Sequence, residues 1–260
     1  MLEEDEPTSK DMNAEQTIPL FVLPSGIFPT VSESLRVFEP RYKQMLDDCT
    51  IDEHPFGYIA HDPDSESIDG WSQPSTFGVL CTLEDMREQG TNLTFTANGN
   101  QRFEVLDVVQ SALPSMPFGD VYPSVDDLVE QYADDSPKGK LYLRAKIRLL
   151  DELEGELTAE HWASFLHDWA QHIVDVNSIF RDDQIELEQM LLILEEEFLP
   201  YETSSLWQVA NAVLDKQEDR QSALRSSSSE DVFEILQNAL SEKNAQLNFI
   251  RTLSDADDQS

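Results

Sequence analysis

Between residues 17 and about 109 the hydrophobic positions recur in short runs, most of them with a period of two, which is the spacing of a strand with one covered face. Ile18 to Leu23 is an apolar run that ends at the turn-forming Pro24-Ser25-Gly26. After a second bend at Phe28-Pro29, an extended stretch carries Leu35 and Val37 on one side. Glu39-Pro40 then opens a helix, because proline suits the first helical position, where its missing N–H costs nothing. Strands are also predicted at 56–60 (Phe56, Tyr58 and Ala60 on one face), at Phe77, Val79, Cys81 and Leu83, at Leu93, Phe95 and Ala97, and at Phe103, Val105 and Val108. Asn98-Gly99-Asn100 reads as a hairpin turn between the last two. A final strand is predicted around 118–121, and residues 61–74, rich in acid and turn formers, read as a loop. Six or seven short strands at this spacing predict a closed or nearly closed sheet, which leaves few exposed edges.

From about Asp126 the pattern changes. Leu141, Ala145, Ile147, Arg148 and Leu149 suggest a helix that ends near Gly155. Trp162, Phe165, Leu166, Trp169, Ile173 and Val176 trace one stripe of a second helix. Residues 185–199 are apolar on most sides and predict a buried central helix stopped by Pro200. A short helix follows over 205–214. The last one is introduced by Ser228 as N-cap, with Asp231 in its first turn. The reading is thus an α+β chain: a β-rich lobe over 17–125, then an α-helical bundle lobe over 126–253. The acidic lead-in 1–16 and the polar tail 254–260 lack periodicity and are expected to be disordered.

The opening stretch also carries a family resemblance. Ile18–Pro24, Ile27–Thr30 and Leu35–Tyr42, above all Phe38-Glu39-Pro40-Arg41-Tyr42, resemble the start of the Lon N-terminal domain. That family commonly has glycine where this chain has Thr30. Phe77–Leu83 is similar to a later family segment, with Cys81 in place of a glycine. Residues 98–108 resemble a third segment, which is basic in the family but keeps only Arg102 here. The likeness is strong over the first hundred residues and weak after Val125. It implies a PUA-like β-barrel lobe followed by a helical lobe, and a non-catalytic module that recognises unfolded or tagged polypeptides, linked to protein quality control. Within this motif Glu39 and Arg41 are candidates for binding a substrate tail, against the plainer reading that they anchor the strand–helix junction, and Tyr42 and Lys43 are candidates for a substrate-contact surface on the same helix.

Charge narrows the partners. The 260 residues hold 52 Asp+Glu against 17 Lys+Arg, a net charge of −35. Such a surface repels phosphate backbones and anionic lipid, so neither nucleic acid nor membrane is expected as a partner. The acidity also suggests adaptation to salt. No apolar run approaches the roughly 20 residues that span a bilayer, and the acidic first residues do not resemble a signal peptide, so a cytoplasmic location is expected.

Known catalytic patterns are missing from the sequence. Gly139-Lys140 lacks the upstream glycine of a phosphate-binding loop. Ser25, in Pro24-Ser25-Gly26, superficially resembles a peptidase serine but lies in the turn of the opening unit. Cys49 and Cys81 form no C-x-x-C motif and read as reduced core residues. His161, His167 and His172 are spaced six and five apart, which does not place pairs on one helical face; His172 is expected to pair with Asp168. Trp162 and Trp169 read as core, and the acidic runs as solvated faces. No cofactor or metal is expected, and no enzyme. Two rival readings remain: an adaptor for one folded partner protein, and a peptidase-related activity.

Overall fold

A computed structural model describes residues 15–68, 70–114, 122–137, 139–180 and 185–257. The chain divides into two compact units, residues up to Glu152 and residues from Leu153 onward.

Among the described residues the first unit holds six strands: β1 (Gln16–Leu23), β2 (Ser32–Val37), β3 (Phe56–Ala60), β4 (Phe77–Gln89), β5 (Asn92–Val109) and β6 (Arg144–Leu149). They are ordered β2-β5-β4-β3-β1-β6, and β6 also pairs with β5, so five strands close on themselves and β2 extends the wall beside the first half of β5. The closed sheet predicted from strand spacing is therefore present. β6 is the strand that closes it, and it replaces the helix expected over 141–155. Ala145, Ile147 and Leu149 alternate with Arg144, Lys146 and Arg148, and pair with Ile18 of β1 and Val105 and Phe103 of β5.

Ile18, Leu20, Ile59, Phe103, Ala145 and Ile147 fill one buried cluster of this unit. Helix α1 (Pro40–Ile51) covers a second, aromatic layer in which Phe21 meets Tyr42, Phe56, Tyr58 and Phe95 at ring centroid distances of 4.4–6.1 Å. β3 lies between these layers. Its two faces are both buried, not only the predicted Phe56–Tyr58–Ala60 face.

β5 runs without a break through Asn98-Gly99-Asn100, which is therefore not a turn. Gly99 sits where the 28–31 bend crosses the sheet: Thr30 donates to the Gly99 carbonyl and Gly99 donates to Val31. A Cβ at Gly99 would fall 2.5 Å from the Phe28 carbonyl oxygen. Glycine thus marks a close backbone approach. Gly99→Ala is expected to destabilise the unit by about 1–3 kcal/mol, because the obstacle is backbone and cannot rotate away. A lowered urea midpoint with unchanged slope is the readout. Thr30, the departure from the family's glycine, takes a positive φ of 62° in the same bend.

Between β5 and β6 lie a short helix α2 (Val125–Leu128), capped by the Ser124 hydroxyl, and a π-helical turn, Val129–Ala133. The strand expected around 118–121 falls outside the described residues, as does most of the lead-in 1–16.

The second unit contains five helices among the described residues: α3 (Ala159–Phe180), α4 (Leu187–Phe198), α5 (Thr203–Val213), α6 (Gln217–Arg225) and α7 (Ser229–Asp257). Its core is organised on α3. Trp162 is fully buried, stacks on Phe165, approaches Phe233 of α7, and donates its indole N–H to the Phe198 carbonyl at 3.0 Å. Trp169, only half buried, packs on Phe198. The expectation of a buried helix over 185–199 is corrected. On α4 only Leu194 and Phe198 are buried, whereas Leu192 and Ile193 are 55% and 47% exposed because they fall off that stripe. α6 was not anticipated; it is polar apart from the buried Ala223 and Leu224. The N-cap at Ser228 is present, its hydroxyl accepting from the Asp231 N–H at 3.1 Å. His172 does not pair with Asp168: its Nδ1 lies 2.6 Å from Asn244 Oδ1 on α7. No helix among the described residues is long and apolar enough to cross a membrane.

Candidate functional site

The first turn of α1 gathers the residues that the sequence singled out. Glu39 is its N-cap residue by backbone, extended at φ −71° and ψ 130°, but its carboxylate does not cap the helix. It accepts from Arg41 Nε at 2.8 Å instead. The Arg41 guanidinium carbon lies 4.3 Å from the centre of the Tyr42 ring and 4.0 Å from that of Trp71, so the cation is held between two π faces. Trp71 is fixed in turn. Its indole N–H donates to the Leu113 carbonyl at 2.8 Å, and its backbone exchanges two hydrogen bonds with Ile68.

Tyr42 points the other way. Its ring is 4% exposed, meets Phe21 edge-on, and its hydroxyl donates to the Val22 carbonyl at 2.7 Å. Burial pushes the phenol up to about 12, against the smaller lowering influence of Arg41 and with a further small rise from Glu39, so it is neutral at any physiological pH. Lys43 donates to the Thr91 carbonyl at 2.6 Å, tying α1 to the turn between β4 and β5. Of the four residues expected to bind, Tyr42 thus serves the core and Lys43 a turn. Glu39 and Arg41 form a part-buried ion pair at the surface.

Three further residues complete this surface, none of them marked as binding residues by the sequence reading. Phe38, just after β2, is 48% exposed, and its ring lies 5.9 Å from that of Tyr122, itself 37% exposed. Trp71 contributes the face that holds Arg41. Phe38 adjoins the motif and was legible as an apolar residue just outside a strand. Trp71 and Tyr122 come from distant loops, and only a lone tryptophan in an acidic loop hinted at the first. Chemically, the arrangement offers apolar ring surface beside a guanidinium whose position is fixed in advance, which suits reversible binding.

Asp47 and Asp48 lie farther along α1. The carboxyl of the exposed Asp47 is raised above its ordinary value, first by desolvation against its neighbours and then by the nearby charges of Asp48, Asp126 and Glu88. Asp48 is engaged by Lys140 at 2.9 Å and by the Tyr142 hydroxyl at 2.6 Å. The two cysteines are buried and free, and burial pushes the Cys49 thiol up to about 12 and Cys81 higher still, which leaves both unreactive. No group of three or more His, Cys, Asp or Glu with metal-binding geometry occurs among the described residues.

The first unit is thus a closed five-stranded barrel with one added strand, the second is helical, and the Phe38–Tyr42 motif stands at the start of α1. The sequence profile of the ATP-dependent protease La (LON) substrate-binding domain matches residues 17–257, and the chain belongs to that family. Among solved structures it is similar to a Lon N-terminal domain protein from Xanthomonas campestris, at 20% identity and a TM-score of 0.52, covering 86% of this chain and 98% of that one. It is also similar to the N-terminal domain of Lon protease from the Mycobacterium avium complex, at 10% identity and a TM-score of 0.52, covering 87% and 98%. At these identities the likeness concerns the fold. No match was found among curated proteins.

Proposed function

We propose that this chain recognises unfolded or tagged polypeptides through the surface formed by Phe38, Arg41, Trp71 and Tyr122, by reversible binding and without a catalytic step of its own. The observation that carries this reading is the exposed Phe38–Tyr122 ring pair, with Phe38 only three residues from an Arg41 guanidinium already held in place. Phe38 and Tyr122 leave apolar surface in water, and exposed aromatic groups with a fixed arginine are favoured anchors of binding surfaces. An unfolded segment supplies what such a surface lacks: apolar side chains to cover the rings and backbone carbonyls to accept from the guanidinium. The family's substrate-binding role agrees with this. The net charge of −35 weighs against nucleic acid and anionic lipid as alternatives. A role in protein quality control is the natural setting of such binding.

The test is fluorescence anisotropy with a labelled unfolded polypeptide and its folded counterpart. The unfolded form is expected to bind selectively. Phe38→Ala is expected to weaken that binding about tenfold, the effect of losing one central aromatic anchor of roughly 1.4 kcal/mol, with the thermal midpoint nearly unchanged. Equal binding of the Phe38→Ala variant would remove this surface from the reading.

A second reading has its own observation. Leu192 and Ile193 on α4 form an exposed apolar pair in the helical unit, which suits a folded partner held at fixed stoichiometry. It predicts co-purification of one protein in a defined ratio, lost in a Leu192→Asp variant that still folds.

A further inference from the structure

Of the cations around the proposed surface, two are paired with carboxylates and the third, Lys43, bonds a neutral carbonyl. Arg41 is paired with Glu39, Lys43 donates to the Thr91 carbonyl, and Lys140 is paired with Asp48. Asp47, Glu88 and Asp126 are exposed, and no ion pair joins any of them to a cation among the described residues. Asp126 stands four residues beyond Tyr122, in the first turn of α2, and α2 packs against α1. Asp47 lies seven residues along α1 from Pro40, which at about 1.5 Å per residue is roughly 10 Å from the helix start. An extended peptide covers that distance in about three residues.

We propose that this surface selects polypeptide segments in which a large apolar or aromatic side chain, seated on Phe38 and Tyr122, is accompanied by lysine or arginine a few residues away, facing Asp47, Glu88 and Asp126. The inference rests on the polypeptide-recognition reading above and names its substrate class. Charge complementarity carries it at two ranges. At long range the net charge of −35 raises the local concentration of cationic segments and speeds their encounter. At short range the unpaired carboxylates reward a cation, and they penalise an acidic segment by placing like charge against like. The same rings that take an apolar side chain also attract a cation over their faces.

The experiment uses the full chain and three labelled twelve-residue peptides with one central phenylalanine and lysine, serine or glutamate at the flanking positions, measured at about 50 and 500 mM KCl. At low salt the lysine peptide is expected to bind about tenfold tighter than the serine peptide, as two exposed ion pairs allow, and the glutamate peptide weakest. The spread is expected to narrow at high salt, where screening acts within about 5 Å. A double Asp47→Asn, Asp126→Asn variant is expected to reduce the lysine-to-serine ratio, whereas Glu196→Gln, Glu197→Gln in the helical unit leaves it in place. Three peptides of equal affinity would overturn charge selection and leave polypeptide recognition standing. Binding of none would overturn both. A ratio unchanged in the Asp47, Asp126 variant would overturn the assignment to this surface.

Discussion

Truncating Tyr42 to alanine is expected to destabilise the barrel unit by about 3–5 kcal/mol, the range for removing a buried aromatic ring. Tyr42 is the point at which α1 is joined to the sheet. Its ring meets Phe21 at 4.4 Å, within a cluster that includes Phe56, Tyr58 and Phe95, and its hydroxyl satisfies the Val22 carbonyl. Alanine leaves a cavity in this aromatic layer and loosens the helix start that carries Arg41. Tyr42→Phe keeps the ring and loses the hydrogen bond, for an expected cost of about 1 kcal/mol. Arg41→Ala should behave in the opposite manner. It removes a stacked, partly exposed cation, with a small effect on stability and a large one on polypeptide binding. Urea unfolding followed by tryptophan fluorescence, combined with anisotropy on the same preparations, separates the two roles. A Tyr42→Ala protein with an unchanged midpoint but lost binding would return Tyr42 to the binding surface and refute its placement in the core.

That contrast reflects what was legible in the chain. The segment from Ile18 to Leu46 could be read because its signals are local: a period-two run, prolines at bends, and proline at the first helical position of α1. The same grammar cannot tell which side of a helix start faces inward, so it does not separate Tyr42, whose ring is buried, from its neighbour Arg41, which lies between the Tyr42 and Trp71 rings. The 144–149 run is ambiguous in sequence because a short stretch of alternating apolar and basic residues fits either period. Only its pairing with Ile18 and Val105 settles it. Asn98-Gly99-Asn100 has turn composition, but the need for glycine comes from the Phe28 carbonyl seventy residues earlier. In α4, apolar content alone suggested burial, yet Leu192 and Ile193 lie off the stripe that ends in Leu194 and Phe198. The site itself was half legible. The motif located the helix start, while Trp71 and Tyr122 reach it only through the tertiary fold.

Raising KCl from 0.1 to 2 M is expected to raise the melting temperature by at least about 5 °C. The folded chain holds 52 acidic groups against 17 Lys+Arg. Its ion pairs, such as Lys216–Glu242, Lys243–Asp215 and Arg251–Asp175, cannot offset that excess. Unfolding relieves the repulsion by spreading the charges, so the compact state carries the larger electrostatic cost. Screening shortens the reach of each charge from about 10 Å at 0.1 M to about 3 Å at 1 M, which lowers that cost mainly in the folded state. A gain of only ~2 kcal/mol would move the midpoint by about 4–8 °C for a chain of this size. Protonation should act in the same direction at Asp47. Its folded-state carboxyl is raised, so the folded protein binds a proton more readily than the unfolded chain, and this group's contribution to stability falls as pH rises through the carboxylate range. Asp47→Asn should therefore weaken the salt dependence slightly. Scanning calorimetry in KCl, with sucrose as an uncharged control, distinguishes screening from general exclusion of solute. A melting temperature that does not change with KCl would mean that the excess charge is already compensated in the folded state. The electrostatic basis for selecting cationic segments would then lose its support.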